Sequence, residues 1–492
     1  MGLKYKVWLA VGGIVLGGTA AVGTGAAAYA DTGTGTADTG TGTGAGTATG
    51  TSTSTSPGTG TAGNAADLVA AVPRAHADRG ALTVVPGGAG GPDAAARKAL
   101  TQSSPGVPGL DEPGDAWAAA TALGDLNGDG HPDLVIGAPG EDDTSGHRDR
   151  GAVTMLYGPD LTSGTDFQLS EDFAYAKARF GAAVAAGDFN KDGKDDVFAV
   201  STGTGGSWAA RFSTGHEAAG TFQSGERAID HPAATAGDFD HDGYADAALT
   251  YRDAAGHGRL VWFKGTRSGL SRVGHLSAKG GRSVAAGDVN GDGYDDLVVG
   301  QPYTAESGAR AGGQVTVVNG GPGGPAGGAT TVHQATPGVP GAAEAGDALG
   351  WSVAAADVDG DGCADVLTGA PGEDITRAGE TRTDAGTSLL LKGSRSGLTG
   401  AGALAVSQDE PDVPGVTETG DRLGSSVALA DFDGSGHPDL AVGADGEDRG
   451  DGTVLHVGTD QDGTVLRASG TYYGKARLDT PAGAHLGQVL GS

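Results

Sequence analysis

The sequence predicts an all-β chain folded as a seven-bladed β-propeller, its ring closed by N- and C-terminal strands that share one blade. Three observations predict it. Glycine accounts for 95 of 492 residues while aromatics make up only 5%, a balance that suits short strands joined by tight turns better than thick helical packing. An Asp-rich loop followed by an apolar run occurs six times, at intervals of 50 to 74 residues. The two ends of the repeating region carry complementary halves of one further unit.

The chain begins with Lys4 and Lys6 ahead of the uncharged stretch VWLAVGGIVLGGTAAVGTGAAAYA, which ends in Ala28-Tyr29-Ala30 before Asp31. A charged start, an apolar middle and a small-x-small ending read as a secretory signal peptide over residues 1–30. The alternative is an uncleaved membrane anchor, since the run is long enough to span and contains Gly13-x-x-x-Gly17. Either reading puts the remainder outside the cytoplasm, secreted or tethered to the outer cell surface. Residues 31–63 hold only Thr, Gly, Ala, Ser, Asp and Pro, and with nothing bulky to bury they form a flexible linker.

Residues 64–492 are the propeller. Each unit opens with a piece such as RFGAAVAAGD or DRLGSSVALAD, passes through an Asp-rich loop, and continues into DLVIGAPGEDD or DVLTGAPGEDI. A β-rich run such as GAVTMLYG follows, and a turn-rich piece such as QATPGVPGAAEAGD closes the unit. That makes about four strands per unit, one blade. Residues 67–85 match the downstream half of a unit with no loop before them, and residues 484–492 match the upstream half with no loop after them. Joined, they make the seventh blade and leave no open sheet edge.

The loops carry oxygen-bearing side chains at positions 1, 3, 5 and 9. These are Asp125, Asn127, Asp129 and Asp133; Asp188, Asn190, Asp192 and Asp196; Asp238, Asp240, Asp242 and Asp246; Asp288, Asn290, Asp292 and Asp296; Asp357, Asp359, Asp361 and Asp365; and Asp431, Asp433, Ser435 and Asp439. Carboxylates this close repel one another unless a cation lies among them, and calcium takes six to eight oxygens of this kind. Position 6 is always glycine, at Gly130, Gly193, Gly243, Gly293, Gly362 and Gly436, where the chain must turn round the ion. Position 7 holds His131, Lys194, Tyr244, Tyr294, Cys363 and His437, side chains with nothing in common, so only the backbone carbonyl is expected to bind. An EF-hand needs Glu at position 12, where these loops have Ile136, Ala199, Leu249, Val299, Thr368 and Val442. About six calcium sites follow, with the sixth marked out by the neutral Ser435.

The formal charge of −30 suits a chain that collects hard cations and argues against nucleic acid and anionic membrane surfaces. Cys363 has no partner for an internal disulfide, so in a secreted chain bound metal is the remaining cross-link.

These units resemble FG-GAP repeats, the modules of the integrin α-subunit propeller. FG stands at Phe180-Gly181 and as Leu-Gly at Leu349-Gly350, Leu423-Gly424 and Leu486-Gly487. GAP stands at Gly137-Ala138-Pro139 and Gly369-Ala370-Pro371, loosened at Gly300-Gln301-Pro302. Both signatures fade around AIDHPAATAGD and LTYRDAAGHG, where shorter or less regular blades are expected. The resemblance implies calcium between the first and second strands of each blade, with partners meeting the opposite face. On that face it places Glu141, Asp142, Asp143, Glu373, Asp374, Glu447, Asp448, Asp111, Glu112, Glu344 and Glu418, acidic residues that would suit a basic or cation-bridged partner.

The expectation is therefore a monomeric extracellular binding or adhesion module for a protein or glycan ligand, stabilised by calcium, with no nucleic-acid contact and no membrane contact beyond the possible N-terminal anchor. An extracellular hydrolase or lyase acting on the propeller face and a structural envelope protein without a discrete ligand are the alternatives. No catalytic motif of the G-x-S-x-G or H-E-x-x-H kind is present. Arg449-Gly450-Asp451 spells an adhesion tripeptide that a composition rich in Gly and Asp produces readily by chance.

Overall fold

The structure is a computed structural model that describes residues 65–170, 173, 175–222, 228–377, 379–411 and 413–491. The signal-peptide and linker readings of residues 1–63 lie outside the described residues.

Among the described residues the strands form seven four-stranded sheets, all paired antiparallel, and one two-stranded hairpin. Blade one comprises Ala120–Gly124, Asp133–Ala138, Ala152–Leu156 and Gly164–Phe167, hydrogen-bonded in chain order. The next five blades repeat that order, with first strands Phe180–Gly187, Asp230–Gly237, Ser283–Gly287, Val353–Ala356 and Leu423–Ala430. Blade five carries the extra hairpin, Ile375–Arg377 with Glu380–Arg382, between its second and third strands.

The seventh blade takes strands from both ends, as the sequence halves require. Val489–Gly491 supplies its first strand and Leu68–Ala71, Leu82–Val85 and Lys98–Leu100 the rest, in register Val69 with Gly491 and Ala71 with Val489. Each first strand contacts the first strands of the blades on either side, and Val489–Gly491 contacts both Leu423–Ala430 and Ala120–Gly124, so the cycle is closed.

The core sits between blades. Seven apolar clusters each join one pair of neighbours, and the last two pairs involve the closing blade. Successive side chains of a strand point to opposite faces. Val135 of blade one therefore packs towards blade two, while Leu134 and Ile136 pack towards the closing blade. Because both faces are covered, second strands such as Asp133–Ala138 and Asp439–Ala444 are buried throughout and read as unbroken apolar runs.

The paired glycines of the repeat act across this interface. A Cβ on Gly137 would stand 1.9 Å from the Gly181 carbonyl oxygen of the next blade, and one on Gly369 would stand 1.9 Å from that of Gly424. The GAP glycine of one blade and the FG glycine of the next thus let two backbones touch.

The weak-signature blade is not shorter but is less regular, with register shifts between Asp230 and Ala233 and between Trp262 and Phe263. It is a full blade with strands Asp230–Gly237, Asp246–Arg252, Gly258–Lys264 and Ser271–His275, no shorter than its neighbours. Thr250 stands where the GAP glycine would be, and its Oγ1 accepts the Gly281 backbone N–H at 2.7 Å. Aromatic bulk fills its contact with blade two, where Phe198 and Phe263 lie 4.9 Å apart and Trp208 and Phe263 5.1 Å apart. A hydroxyl and large rings replace the close glycine approach.

Candidate metal centre

All six Asp-rich loops lie between the first and second strands of blades one to six, and each is cast in one shape by the same bonds. The position-1 carboxylate accepts the position-5 N–H on one oxygen and the position-6 N–H on the other. Asp125 takes Asp129 at 3.0 Å and Gly130 at 2.9 Å, and Asp431 takes Ser435 at 2.9 Å and Gly436 at 2.8 Å. Asp188, Asp238, Asp288 and Asp357 do the same. The position-6 glycines all have positive φ, from +81° at Gly243 to +95° at Gly436, which glycine adopts without steric cost.

Position 9 anchors the third strand. One oxygen of Asp133, Asp196, Asp246, Asp296, Asp365 and Asp439 accepts the N–H of Gly158, Ser213, Gly265, Gly320, Gly393 and Thr459 respectively, at 2.7 to 2.9 Å. The other oxygen has no protein partner in Asp196, whereas it accepts from Trp262 Nε1 at 3.1 Å in Asp246, from Lys392 Nζ at 2.8 Å in Asp365, and lies 3.2 Å from His456 Nε2 in Asp439. These six aspartates are buried. Burial pushes Asp196, Asp246 and Asp296 up to about 7 and Asp365 up to about 6, with the neighbouring loop carboxylates adding to the rise.

Asn190 Oδ1, Asp196 Oδ2 and Asp240 Oδ1 are buried oxygens without a hydrogen-bond partner. The carboxylates of Asp238, Asp240 and Asp242 offer oxygens within 4.8 Å of one another, as do Asp357, Asp359 and Asp361, and Asp431, Asp433 and Asp439. Loop six, with its neutral Ser435, is thus among those whose carboxylates converge. The acidic clusters are compatible with a hard divalent ion held by side chains at positions 1, 3, 5 and 9.

Position 7 is explained by its neighbours. Lys191, at position 4 of loop two, lies 5.4 Å over the ring of Tyr244, and His241 meets Tyr294 edge-on at 5.7 Å. His437 Nδ1 lies 3.0 Å from the Val358 carbonyl oxygen. These position-7 side chains pack on the preceding blade's loop. Cys363 is buried there, burial pushes its thiol up, and its N–H donates to Asp361 Oδ1 at 2.9 Å, so it fills space.

Two features of the loops were not read from the sequence. Position 4 is left-handed in every loop, by glycine at 128, 291, 360 and 434 and by Lys191 and His241 at φ +59° and +55°. Position 8 reaches the preceding loop, where the Ala245 N–H donates to the Asp188 carbonyl at 3.0 Å and the Ala364 N–H to that of Asp288 at 2.8 Å. The closing blade has no loop of its own, and Ala66 takes this part, donating to the Asp431 carbonyl at 2.7 Å. A run of glycine at position 4 in four of six loops was the available signal.

The acidic residues expected on the opposite face divide into exposed and enclosed ones. Asp142, Asp374, Asp448, Glu112, Glu344 and Glu418 are exposed. Glu141, Glu373 and Glu447 instead turn inward and accept the side-chain amides of Gln102, Gln334 and Gln408 at 2.7, 2.6 and 2.8 Å. Asp143 is held by Arg150 at 3.0 Å and His147 at 2.7 Å. The Asp451 carboxylate of the Arg-Gly-Asp stretch is committed internally, to Lys475 and to the Gly483 N–H at 2.8 Å.

The family profile described as FG-GAP repeat matches residues 117–155, 280–318, 349–391 and 423–465, and that described as FG-GAP-like repeat matches 188–249. Human phosphatidylinositol-glycan-specific phospholipase D is 30% identical over 220 residues, covering 42% of this chain and 20% of that protein. Integrin alpha pat-2 of Caenorhabditis briggsae is 30% identical over 271 residues, covering 52% of this chain and 18% of that protein. This chain thus matches about a fifth of the length of these relatives. Among solved structures, the BP39L lectin from Burkholderia pseudomallei aligns over 84% of this chain and 98% of its own at 17% identity, with a TM-score of 0.44. The repeats, their glycine pairs and the closed ring agree: the chain carries FG-GAP repeats in a closed β-propeller, and its sequence is similar to that of integrin α subunits.

Proposed function

We propose that the chain is a secreted or surface-tethered calcium-binding propeller that acts as a binding or adhesion module, calcium fixing the loops that join the first two strands of its blades. The observation that carries this reading is the set of six loops built to one plan, with buried oxygens in loops two and three that no protein group satisfies. When bound, calcium supplies the counter-charge that crowded carboxylates require and links the first and second strands of blades one to six. The chain's own backbone donors at positions 5 and 6 hold the position-1 carboxylate in place for it.

Relatives named as integrin α subunits support an extracellular or cell-surface setting. The partner on this reading is a protein or glycan that meets the face away from the loops. Counting metal by mass spectrometry on the purified protein tests the calcium reading, with about six ions expected at affinities near 10⁻⁴–10⁻³ M. Chelation lowers the melting temperature on this reading, and an unchanged melt after proven metal removal contradicts it. Partner capture from host-cell surfaces with and without chelator then separates a binding module from a ligand-free envelope component. Ester hydrolysis, suggested by the relative named as a phospholipase D, is checked by turnover of ester and polysaccharide substrates.

A further inference from the structure

Position 3 is Asn in loops one, two and four and Asp in loops three, five and six, loop six alone having a neutral residue, Ser435, at position 5. Loops three and five therefore present four ligand-position carboxylates where the others present three. The third strand compensates. The residue that follows the register pairs Ala247 with Phe263 and Val366 with Leu391, and so faces position 9, is Lys264 in blade three and Lys392 in blade five. At the same place the three-carboxylate loops carry Tyr157, Phe212, Asn319 and Gly458.

The lysines reach the extra carboxylate. Lys264 Nζ bonds Asp240 at position 3 and lies 2.8 Å from Asp242. Lys392 Nζ lies 2.7 Å from Asp359 at position 3 and 2.8 Å from Asp365. Asp240 is otherwise closed in, its side chain only 5% exposed and its second oxygen unpartnered. With the lysine counted, the ligand positions of every loop sum to three negative charges, loop six reaching the same total through Ser435. Asn without lysine and Asp with lysine are two solutions to one electrostatic requirement.

We propose that Lys264 and Lys392 are resident counter-cations of loops three and five, which weaken calcium binding there to the level of the other loops and hold the two loops folded when calcium leaves. The inference rests on the calcium reading above. An ammonium among these oxygens repels an incoming divalent ion, so its removal strengthens binding, and it is the nearest positive charge when no ion is present.

The test uses the intact protein and Trp262, whose Nε1 donates to Asp246 Oδ2 at 3.1 Å. Terbium luminescence sensitised by this ring, taken as the emission lost in Trp262→Phe, reports loop three. Displacement by calcium gives its affinity. Lys264→Met raises that affinity roughly tenfold and lowers the melting temperature in chelator. The paired variant Asp240→Asn with Lys264→Met rebuilds the pattern of loops one, two and four and returns both quantities to wild-type values. It also covers the case in which the single variant folds poorly. Unchanged or weakened calcium affinity in Lys264→Met, or a pair that fails to restore it, overturns the proposal. A wild-type protein that binds no calcium at all removes the calcium reading itself, whereas normal binding with an inert Lys264→Met removes only the role of the lysine.

Discussion

Asp125 and Asp195 stand 70 residues apart and bond each other twice: the Asp125 N–H donates to Asp195 Oδ2 at 2.9 Å, and the Asp195 N–H donates to the Asp125 carbonyl at 2.9 Å. The bond pair ties the Asp-rich loop of blade one to that of blade two. Asp295 repeats it towards Asp238, with its Oδ2 accepting the Asp238 N–H at 2.8 Å. Position 8 is a clasp between neighbouring loops.

Asp195→Ala removes the acceptor and leaves the Asp125 N–H without its partner, a loss of about 1–3 kcal/mol of stability. Asp195→Asn keeps an acceptor oxygen and deletes a carboxylate that burial and three neighbouring aspartates push up to about 6. It is expected to match or exceed wild type at pH 7.5. Equilibrium denaturation of both variants in chelator checks the pair.

The glycine pairs make a sterically sharper prediction. Gly369→Ala drives a methyl to 1.9 Å from the Gly424 carbonyl oxygen and 2.5 Å from Ser352 Oγ, so one blade must move from the next. A loss of about 3 kcal/mol or more is expected. Gly379 has φ +83° but open space around it, and its alanine variant costs only about 1 kcal/mol. Comparing the two thermal melts separates interblade contact from backbone strain.

Ring closure depends on the last strand. Leu490 is 1% exposed, and Leu490→Ala should lose about 2–5 kcal/mol by opening a cavity where the closing blade meets blade six. Val273 is 55% exposed on an outer strand, and Val273→Ala should change stability by less than about 0.5 kcal/mol. Chemical denaturation measures both.

Burial pushes Glu141, Glu373 and Glu447 up to about 7, with nearby carboxylates adding to the rise. The folded protein then holds these protons to higher pH than the unfolded chain, where the ordinary value is 4.5. Their contribution is greatest below that value and is lost as pH climbs towards about 7. With calcium kept saturating, the melting temperature should fall between pH 5 and pH 8. The triple Glu→Gln variant, which mimics the protonated form, should flatten that slope; an equally steep slope refutes the assignment to these three residues.

Much of the architecture could be read along the chain. Repeating loops at fixed spacing, glycine at position 6 and apolar runs after position 9 are local patterns with local causes, and each survives as a strand, a turn or a carboxylate where expected. Residues 67–85 and 484–492 also announced their shared blade, because each half carries the periodicity of the missing other. Fading FG and GAP signatures marked a blade with two register shifts but not a shorter one, since Thr250 and the rings of Phe198, Trp208 and Phe263 meet the same packing need with different chemistry.

The sequence by itself determined the place of every loop and which side chains could offer oxygen to a cation, because those depend on near neighbours in the chain, and the number of blades, because the repeat and its two complementary halves are patterns written along it. Only the tertiary structure decided that Lys264 answers Asp240, that Asp195 clasps Asp125, and that Glu141 turns in to Gln102 while Asp142 stays in water. Those choices follow from register across strands and contact between blades. A linear pattern carries no record of which distant charge will stand opposite, or of which carboxylate the packing will enclose.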